Sequence, residues 1–252
     1  MEEQMKRAVV VGASSGIGRE VALLLLKDGW SVGIAARRED RLLELKGECE
    51  RNSGKDIARR IEVQALDVTC AEAPQQLRQL IDRLGGMDLY FHASGIGKQN
   101  RDLAEEPELQ TMQTNAVGFT RMIGEAYRYF ESQGRGHIAA ITSIAGTKGL
   151  GPAPAYSATK ALQNVYLQEL EQQAHQRGLH ITFTDIRPGF VDTALLSGDF
   201  HYPMMLRPER VAKEIVASIK KKRHIRVIDW KYRILTALWR RVPRWIWRRI
   251  RI

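Results

Sequence analysis

The chain has 252 residues, of which 44% are hydrophobic, enough for one substantial core in a single α/β domain. Its net charge is +10, but thirteen Lys or Arg and one acid follow from Lys220 onward, so this end carries +12 and the rest −2. This distribution excludes nucleic-acid binding through the body, and a polyanionic partner, such as a membrane surface, is expected only at the C-terminal end.

The cysteines and the first residues indicate a reducing, cytoplasmic location. Cys49 and Cys70 are the only cysteines, and no spacing typical of a zinc site or a redox pair is present. The start of the chain lacks the layout of a signal peptide, and no run of about 18 apolar residues could cross a bilayer. We therefore expect no bound metal and no membrane span.

Seven short runs rich in Val, Ile and Ala predict strands. In chain order they read RAVVV, SVGIA, IEVQAL, DLYFHA, HIAAIT, HITFTDI and IRVID. Helical patterns separate them, including REVALLLLKDG and a long one from Tyr156 to Arg177 that closes on Gly178. This alternation predicts a Rossmann-type, doubly wound parallel α/β sheet of about seven strands with helices on both faces.

A glycine motif, VGASSGIGRE, follows the first predicted strand. Gly12, Gly16 and Gly18 lie where this strand turns into a helix, and their missing side chains would let the backbone approach a pyrophosphate at the helix N-terminus. The alternative is a merely tight turn between a strand and a helix.

The second predicted strand ends in IAARRED. Dinucleotide-binding folds place an acid there for a ribose hydroxyl, or an arginine for a 2′-phosphate. Here Ala36 occupies the position of the acid, and Arg37 and Arg38 follow it. The sequence therefore predicts NADP(H), with two arginines that merely cap a solvated helix as the alternative.

Further along, TSIAG provides Ser143 and YSATK provides Tyr156 and Lys160. Tyr156 and Lys160 are four residues apart, so they share one helix face. An adjacent ammonium is expected to lower the phenol pKa from its usual value of about 10. With the Ser143 hydroxyl at the carbonyl oxygen, this set predicts proton donation during hydride transfer.

These motifs, in this order and spacing, resemble the short-chain dehydrogenase/reductase family. The resemblance is firm from about Lys6 to Thr193 and continues loosely to Trp230. It implies a fourth catalytic residue, Asn115 in QTNAVG, which would hold a water that links Lys160 to solvent. The alternative is an asparagine that only bonds backbone.

The resemblance also assigns cofactor contacts one residue at a time. Asp67 would bind the adenine amino group beside Val68, and the loop around Pro188 would receive the nicotinamide carboxamide. His92 replaces the first asparagine of the family's Asn-Asn-Ala-Gly motif, and we expect it to be structural. The full expected cofactor set is Gly12, Ser14, Ser15, Gly16, Ile17, Gly18, Arg37, Arg38, Asp67, Val68, Ala93, Ser94, Gly95, Tyr156, Lys160, Pro188, Gly189, Val191 and Thr193.

The segment after RPGFVDT is where the family sets its substrate preference. Its apolar residues suit an aliphatic substrate chain, or they simply cover a pocket. They are Leu195, Leu196, Phe200, Met204, Met205 and Leu206. The resemblance also implies a homodimer or homotetramer built on helices near 109–133 and 156–177.

The chain closes on a basic, aromatic stretch, which we treat as an extension, 231–252, of a catalytic domain, 1–230. One helix is expected to carry an apolar stripe, and Pro243 to start a second short helix. The stripe comprises Tyr232, Leu235, Leu238, Trp239 and Val242, and the second helix adds Trp245, Ile246, Trp247 and Ile250, with Arg244, Arg248, Arg249 and Arg251 at its rim. The stretch would lie on an anionic membrane, or its stripe would pack over the substrate pocket or a partner subunit.

The sequence thus predicts an NADP(H)-dependent oxidoreductase that reduces a ketone to a secondary alcohol. The C-terminal stretch resembles those of reductases of lipid intermediates, which favours a long-chain ketone such as 3-ketosphinganine. A polyprenyl-linked keto-sugar and a soluble 3-oxoacyl or steroid ketone are alternatives. A non-catalytic, NADP-binding, membrane-docking module is the alternative of another class.

Overall fold

The computed structural model describes residues 5–196, 202 and 204–250. Within them, seven parallel strands form one sheet in the order β3-β2-β1-β4-β5-β6-β7. All seven predicted strands are found, since each apolar run can be buried on both faces. The strands are β1 (Arg7–Val11), β2 (Ser31–Ala36), β3 (Ile61–Ala65), β4 (Leu89–His92), β5 (Arg135–Ile141), β6 (His180–Arg187) and β7 (Ile225–Val227).

Helices connect successive strands and cover both faces of the sheet, which confirms the predicted doubly wound fold. They are α1 (Gly16–Lys27), α2 (Glu39–Ser53), α3 (Lys55–Ala58), α4 (Ala73–Leu84), α5 (Glu105–Met112), α6 (Phe119–Gln133), α7 (Pro154–Gln176), α8 (Pro208–Lys220), α9 (Trp230–Trp239) and α10 (Arg244–Trp247). None of these helices, in the part of the chain described, combines the length and the apolar character needed to cross a bilayer.

The two faces of the sheet carry different cores. Helices α1, α2 and α8 pack on one face, where Leu25 and Ile215 are fully buried. Helices α4, α6 and α7 pack on the other, where Phe130 and Leu167 are buried. Strand order reverses between β1 and β4, and in such sheets a crevice for ligands opens at the carboxyl ends of the strands.

Helix α9 begins at Trp230 because Asp229 caps it. The Asp229 carboxylate accepts a hydrogen bond from the backbone N–H of Lys231 at 2.9 Å and pairs with Arg210 at 3.0 Å. Pro243 then precedes α10, as predicted. The C-terminal extension is therefore helical, and Arg251 lies outside the described residues.

Candidate active site

The glycine turn between β1 and α1 lies against the loop that follows β4. Gly12 has a φ of +94°, and a Cβ there would lie 2.6 Å from the backbone nitrogen of Ser94. A Cβ on Gly18 would lie 2.2 Å from the Gly12 carbonyl oxygen. The glycines thus let the turn pack closely against the loop after β4 and the start of α1, and their predicted role as a phosphate-binding turn fits this geometry.

Beside this turn is a cleft of about 390 Å³. Its walls include Ser14, Ser15 and Gly16 on one side and Thr193 on the other. Thr193 lies directly against Gly16, whose added Cβ would be 3.2 Å from the threonine methyl. The cleft therefore joins two parts of the predicted cofactor set, which are about 180 positions apart in sequence.

Arg37 and Arg38 are exposed at the end of β2. The Arg38 guanidinium donates to the Ser14 hydroxyl at 3.4 Å, so the predicted 2′-phosphate site adjoins the glycine turn. Sequence reasoning missed Arg19 and Arg41, which also line the cleft. Arg19 is not free for a ligand, because it pairs with Glu20 and Glu48.

The predicted adenine contacts are engaged within the protein. One Asp67 carboxylate oxygen accepts from the Thr69 backbone N–H at 2.9 Å and from its hydroxyl at 2.8 Å. Val68 is buried against Gly118, where an added Cβ would approach the valine methyl to 2.8 Å. These contacts fix the turn after β3. Ile17, another predicted cofactor residue, lies in the first turn of α1 and is partly buried against the core.

Ser143 and Tyr156 meet at the carboxyl end of β5. The Ser143 hydroxyl accepts from the Ala145 backbone N–H at 3.0 Å and also hydrogen-bonds the Tyr156 phenol. Gly97 lies flat on the tyrosine ring, because a Cβ there would be 2.6 Å from Cδ2. This positioning glycine was not predicted, since only the fold brings residues 97 and 156 together.

Asn115 lies in a π-helical turn, Gln113–Gly118, between α5 and α6. Its side-chain oxygen accepts from the Ile96 backbone N–H at 2.9 Å, and its side-chain nitrogen donates to the Ile96 carbonyl at 2.6 Å. Such turns are frequent at functional sites because they move backbone groups out of the regular helix pattern. Asn115 therefore holds the loop that follows β4, in addition to its predicted place beside Lys160.

Lys160 is buried behind Tyr156, and its ammonium lies 5.6 Å from the centre of the tyrosine ring. The ammonium donates to the Ile141 carbonyl at 3.1 Å and to the Gln163 side-chain oxygen at 2.9 Å. Gln163 in turn donates to the Asn115 carbonyl at 2.8 Å. Gln163 was missed because nothing in its local sequence distinguishes it from other helix residues.

The expected lowering of the Tyr156 pKa is not found. Burial raises the pKa of the phenol above its usual value, and the hydrogen bond from Ser143 opposes this only in part. The physical reason is that the Lys160 ammonium lies behind the ring and bonds other acceptors. The pKa of Lys160 is lowered to about 8, because burial lowers it more than the nearby Asp185 carboxylate raises it.

His92 is buried at the end of β4, and its ring nitrogen Nδ1 shares a hydrogen bond with the Tyr90 hydroxyl at 2.9 Å. Burial, with a smaller effect of Lys160, lowers its pKa to about 3. His92 is therefore neutral at physiological pH, and its contacts fit the structural role we expected. Ala93 follows it and donates its N–H to the Val11 carbonyl at 2.7 Å.

The loop after β6 is fixed by Tyr232 of α9, whose contact with this loop was not predicted. A Cβ on Gly189 would lie 2.2 Å from the Tyr232 ring, so glycine and ring are in flat contact. The Tyr232 hydroxyl accepts from the Phe190 N–H at 3.2 Å and donates to the Met204 carbonyl at 3.1 Å. The Pro188 carbonyl accepts from the Ile144 N–H at 3.1 Å, which ties this loop to the Ser143 segment.

The C-terminal extension also packs on the segment between Ser143 and Tyr156. The Trp239 ring N–H donates to the Thr147 hydroxyl at 2.8 Å, and the Trp247 ring N–H donates to the Gly149 carbonyl at 2.8 Å. Lys148 donates to the Val242 carbonyl at 2.7 Å. One face of the extension thus packs on the body beside the site, whereas the predicted alternative to a membrane placed the stripe over the substrate pocket or on a partner subunit.

The segment after RPGFVDT, which is expected to set substrate preference, is described only in part, and Phe200 lies outside the described residues. Leu206 is buried, and Val191 pairs with it in a short bridge of parallel backbone. Leu195, Met204 and Met205 are exposed apolar residues on the same segment. The described part therefore presents an apolar surface next to the loop that Tyr232 fixes.

Comparisons with known proteins agree with this architecture. The family model for short chain dehydrogenases matches residues 6–201. An uncharacterized oxidoreductase of Mycobacterium tuberculosis is 31% identical over 229 residues, which are 89% of this chain and 88% of the relative. One of Myxococcus xanthus is 33% identical over 206 residues, covering 81% of this chain and 78% of the relative.

Solved structures also match. An alcohol dehydrogenase of the archaeon Thermococcus sibiricus, complexed with 5-hydroxy-NADP, has a TM-score of 0.77 and 24% identity over 91% of this chain and 98% of that one. A variant of the actinorhodin polyketide ketoreductase with NADPH has a TM-score of 0.73 and 26% identity, covering 85% of this chain and 90% of that one.

Proposed function

Because the chain belongs to the short-chain dehydrogenase/reductase family, we propose that it is an NADP(H)-dependent oxidoreductase that reduces a ketone to a secondary alcohol. Family membership makes it an enzyme that acts on CH–OH donors, which sets aside a non-catalytic module. The observation that carries the proposal is the convergence of Ser143, Tyr156, Lys160 and Asn115 at the carboxyl ends of the strands.

In this proposal Tyr156 donates the proton and Ser143 stabilises the carbonyl oxygen. The raised pKa of the Tyr156 phenol supports the first role, because reduction requires the protonated form. The Ser143 hydroxyl and the phenol are neighbours, so a carbonyl oxygen that replaces the bond between them could accept from both hydroxyls. Lys160 and Asn115 would renew the proton from solvent after each turnover.

The same residues fit a nicotinamide cofactor. A bound, reduced nicotinamide would supply the hydride, and the tight glycine turn that leads from Gly12 into the N-terminus of α1 supports pyrophosphate binding. Ala36 stands where an NAD-binding fold would have an acid, and the arginines that follow it, Arg37 and Arg38, are exposed. These features support binding of a 2′-phosphate and hence of NADP(H). The Thermococcus sibiricus and actinorhodin enzymes described above carry NADP-type ligands, whereas a 3-ketoacyl reductase of Brucella melitensis, at 20% identity, is complexed with NADH.

Two variants test the reaction and the cofactor separately. We expect Tyr156→Phe to bind NADPH normally, measured by fluorescence titration, and to lose about a thousandfold in kcat/KM for a small ketone. Near-normal turnover would remove Tyr156 from the mechanism. Arg37→Asp should invert the preference between NADPH and NADH, and an unchanged preference would rule out the 2′-phosphate site.

We further propose a lipid-like ketone as the substrate. The exposed apolar residues Leu195, Met204 and Met205 support an aliphatic substrate chain, and a long-chain 3-keto lipid such as 3-ketosphinganine is the first candidate. A polyprenyl-linked keto-sugar and a soluble 3-oxoacyl or steroid ketone are the competitors. A chain-length series of ketones tests this, since kcat/KM should rise with each added methylene and a flat series would contradict it.

In the proposed domain plan, residues 1–230 form the catalytic domain and 231–252 extend it toward an anionic membrane surface. We also propose a homodimer or homotetramer built on residues 109–133, from the end of α5 through α6, and on residues 156–177, which include most of α7. Leu109, Met112, Leu162 and Val165 are exposed apolar residues on these helices, which supports a subunit contact there. Sedimentation velocity tests the assembly, and a monomer at micromolar concentration would contradict it.

A further inference from the structure

Helix α9 has two opposite apolar faces, which a single predicted stripe did not anticipate. The inner face contains Tyr232, Leu235 and Trp239 and packs on the body. The outer face carries Trp230, Ile234 and Leu238, which are spaced four residues apart and therefore lie in one row. These three side chains are 61%, 52% and 62% exposed. Leu238, expected in the stripe with Trp239, therefore points away from the body.

The row continues past Pro243 into the last described residues. Trp245 is 60% exposed and Ile250 is 45% exposed, whereas Trp247 packs inward through its hydrogen bond to Gly149. Soluble proteins rarely expose so many large apolar side chains within about twenty residues. The inner contacts already fix both helices on the body, so the outer row is not needed to fold them.

Cations surround this row, and acids are absent from the stretch. Between residues 231 and 250 the sequence has seven Lys or Arg and no Asp or Glu. All seven are exposed, and they are Lys231, Arg233, Arg240, Arg241, Arg244, Arg248 and Arg249. Long cationic side chains at the rim of an apolar row can reach lipid phosphates while the tryptophans lie at headgroup level.

We propose that the outer row Trp230, Ile234, Leu238, Trp245 and Ile250, with the surrounding arginines, is a docking face for an anionic lipid membrane. Charge complementarity and exposed tryptophan select this occupant, because a nucleic acid would gain little from the aliphatic residues. The proposal deepens the function proposed above and rests on it only for the reason to visit a membrane. The enzyme would lie on the surface through α9 and α10, with no span.

The test is sedimentation of the full chain with phosphatidylglycerol/phosphatidylcholine vesicles and with phosphatidylcholine vesicles. We expect binding to the anionic vesicles that falls as salt is raised. The triple variant Ile234→Ser, Leu238→Ser, Trp245→Ser should bind at least about tenfold more weakly. Its matched control is Leu43→Ser, Leu103→Ser, Ile225→Ser, which changes equally exposed side chains elsewhere and should bind like the wild type.

A charge variant separates the two contributions. Arg241→Gln, Arg244→Gln, Arg248→Gln should lower the affinity for anionic vesicles by about a hundredfold, because each cation near the surface contributes about 1 kcal/mol. No vesicle binding, equal binding to both vesicle types, or salt-sensitive binding to DNA alone would overturn the proposal. Reduction of a small soluble ketone should be unchanged in all these variants. Vesicle binding without any reduction would instead overturn the proposed function and leave the docking face standing.

Gln163, which lies far from the docking face in sequence, is fully buried on α7. It joins two groups of the site, since its oxygen accepts from Lys160 and its nitrogen donates to the Asn115 carbonyl. A buried amide with both ends bonded fixes its partners, because losing either bond leaves an unpaired polar group. The Asn115 side chain bonds the Ile96 backbone and, at 3.4 Å, the Thr159 hydroxyl, so Gln163 links the loop that contains Ile96 to the lysine.

We infer that Gln163 is a positioning residue that holds the Lys160 ammonium in line with Asn115. The charged or titratable groups around Lys160 are Tyr156 on its own helix, Asp185 on β6 and His92 on β4. Asp185 is itself paired with Arg187 at 2.7 Å and is not a direct acceptor for Lys160 among the described contacts. Gln163 therefore provides a neutral acceptor next to the ammonium.

Two variants of nearly the same size at position 163 test this inference. Gln163→Leu removes the acceptor, so the basic limb of the kcat/KM profile should move to lower pH by about one unit, since an acceptor stabilises the ammonium. Gln163→Glu adds a negative charge and should move the limb to higher pH. A ¹⁵N NMR titration of the Lys160 ammonium, assigned with Lys160→Gln, should show the same shifts without cofactor. If Lys160 titrates at the same pH in the wild type and in both Gln163 variants, and the variants differ only in a lower Tm, Gln163 merely fills space.

Discussion

Helices α7 and α9 both approach the segment between Ser143 and Tyr156, but they bury different kinds of groups. Helix α7 turns polar side chains inward, and Lys160 and Gln163 are buried with their hydrogen bonds made. Helix α9 turns Tyr232 and Trp239 inward and leaves Leu238 outside. The comparison indicates that the buried polar groups of α7 serve the chemistry of the site. The aromatic side chains of α9 instead fix that helix on the body and leave its other face available to a partner.

The inner face of α9 should make the largest contribution to stability in this comparison. Tyr232→Ala removes a buried ring and leaves a cavity beside Gly189, so the free energy of unfolding should fall by about 3–5 kcal/mol. Tyr232→Phe keeps the ring and removes the hydroxyl, with its bonds to Phe190 and Met204, which should cost about 1–2 kcal/mol. Urea denaturation measures both, and equal losses would show that the ring packing matters little.

On the α7 side, Asn115→Leu should lower kcat/KM for a small ketone by about a hundredfold. Both bonds to Ile96 are lost, and so is the polar group beside Lys160. Asn115→Asp keeps the acceptor for the Ile96 N–H and should lose less. Steady-state kinetics at saturating NADPH measures this, and a near-normal Asn115→Leu would remove Asn115 from the relay.

Acid should destabilise the body through buried histidines without changing the charge of the outer face. Burial lowers the pKa of His137 to about 4, whereas in the unfolded chain it is about 6.5. The unfolded chain therefore binds more protons between these values, and stability falls as pH falls, by about 2 kcal/mol for this group at pH 5. His137→Gln should remove that part of the loss in denaturation curves at pH 7 and 5, and an unchanged loss would contradict the buried, neutral histidine.

The smallest expected effects distinguish neighbours on α9. Leu238→Ser should change the free energy of unfolding by less than about 0.5 kcal/mol, because the side chain is exposed. Trp239→Phe should cost about 1 kcal/mol, because it removes the hydrogen bond to Thr147. Thermal denaturation of the pair is the measurement. A larger loss for Leu238→Ser would show that the outer row is covered within the protein.

Local patterns carried most of what the sequence could predict. The strands follow from short apolar runs, and Tyr156 and Lys160 share a face because helix periodicity puts them there. Ser143 was predicted with them as the group at the carbonyl oxygen, and the resemblance to a known family added Asn115. Neither source predicted Gly97 on the Tyr156 ring or Tyr232 on Gly189, because such contacts join residues that are distant in sequence.

The electrostatics were harder to predict than the positions. A lysine four residues from a tyrosine suggests a lowered phenol pKa, but the sign depends on burial and on where the ammonium points. In the structure the ammonium bonds Ile141 and Gln163, so burial decides and the Tyr156 pKa is raised. Helix periodicity likewise gave a stripe on α9, and only packing shows which of its two faces meets the body.

The flat contact between Gly189 and Tyr232 has an evolutionary consequence. Any side chain at 189 would occupy the space of the ring, and loss of the ring would leave the glycine loop unsupported. The two positions should therefore covary among homologues, and a lineage that changes one must pass through a compensating change at the other. Because 189 belongs to the expected cofactor loop, natural selection on cofactor binding would constrain the C-terminal helix as well.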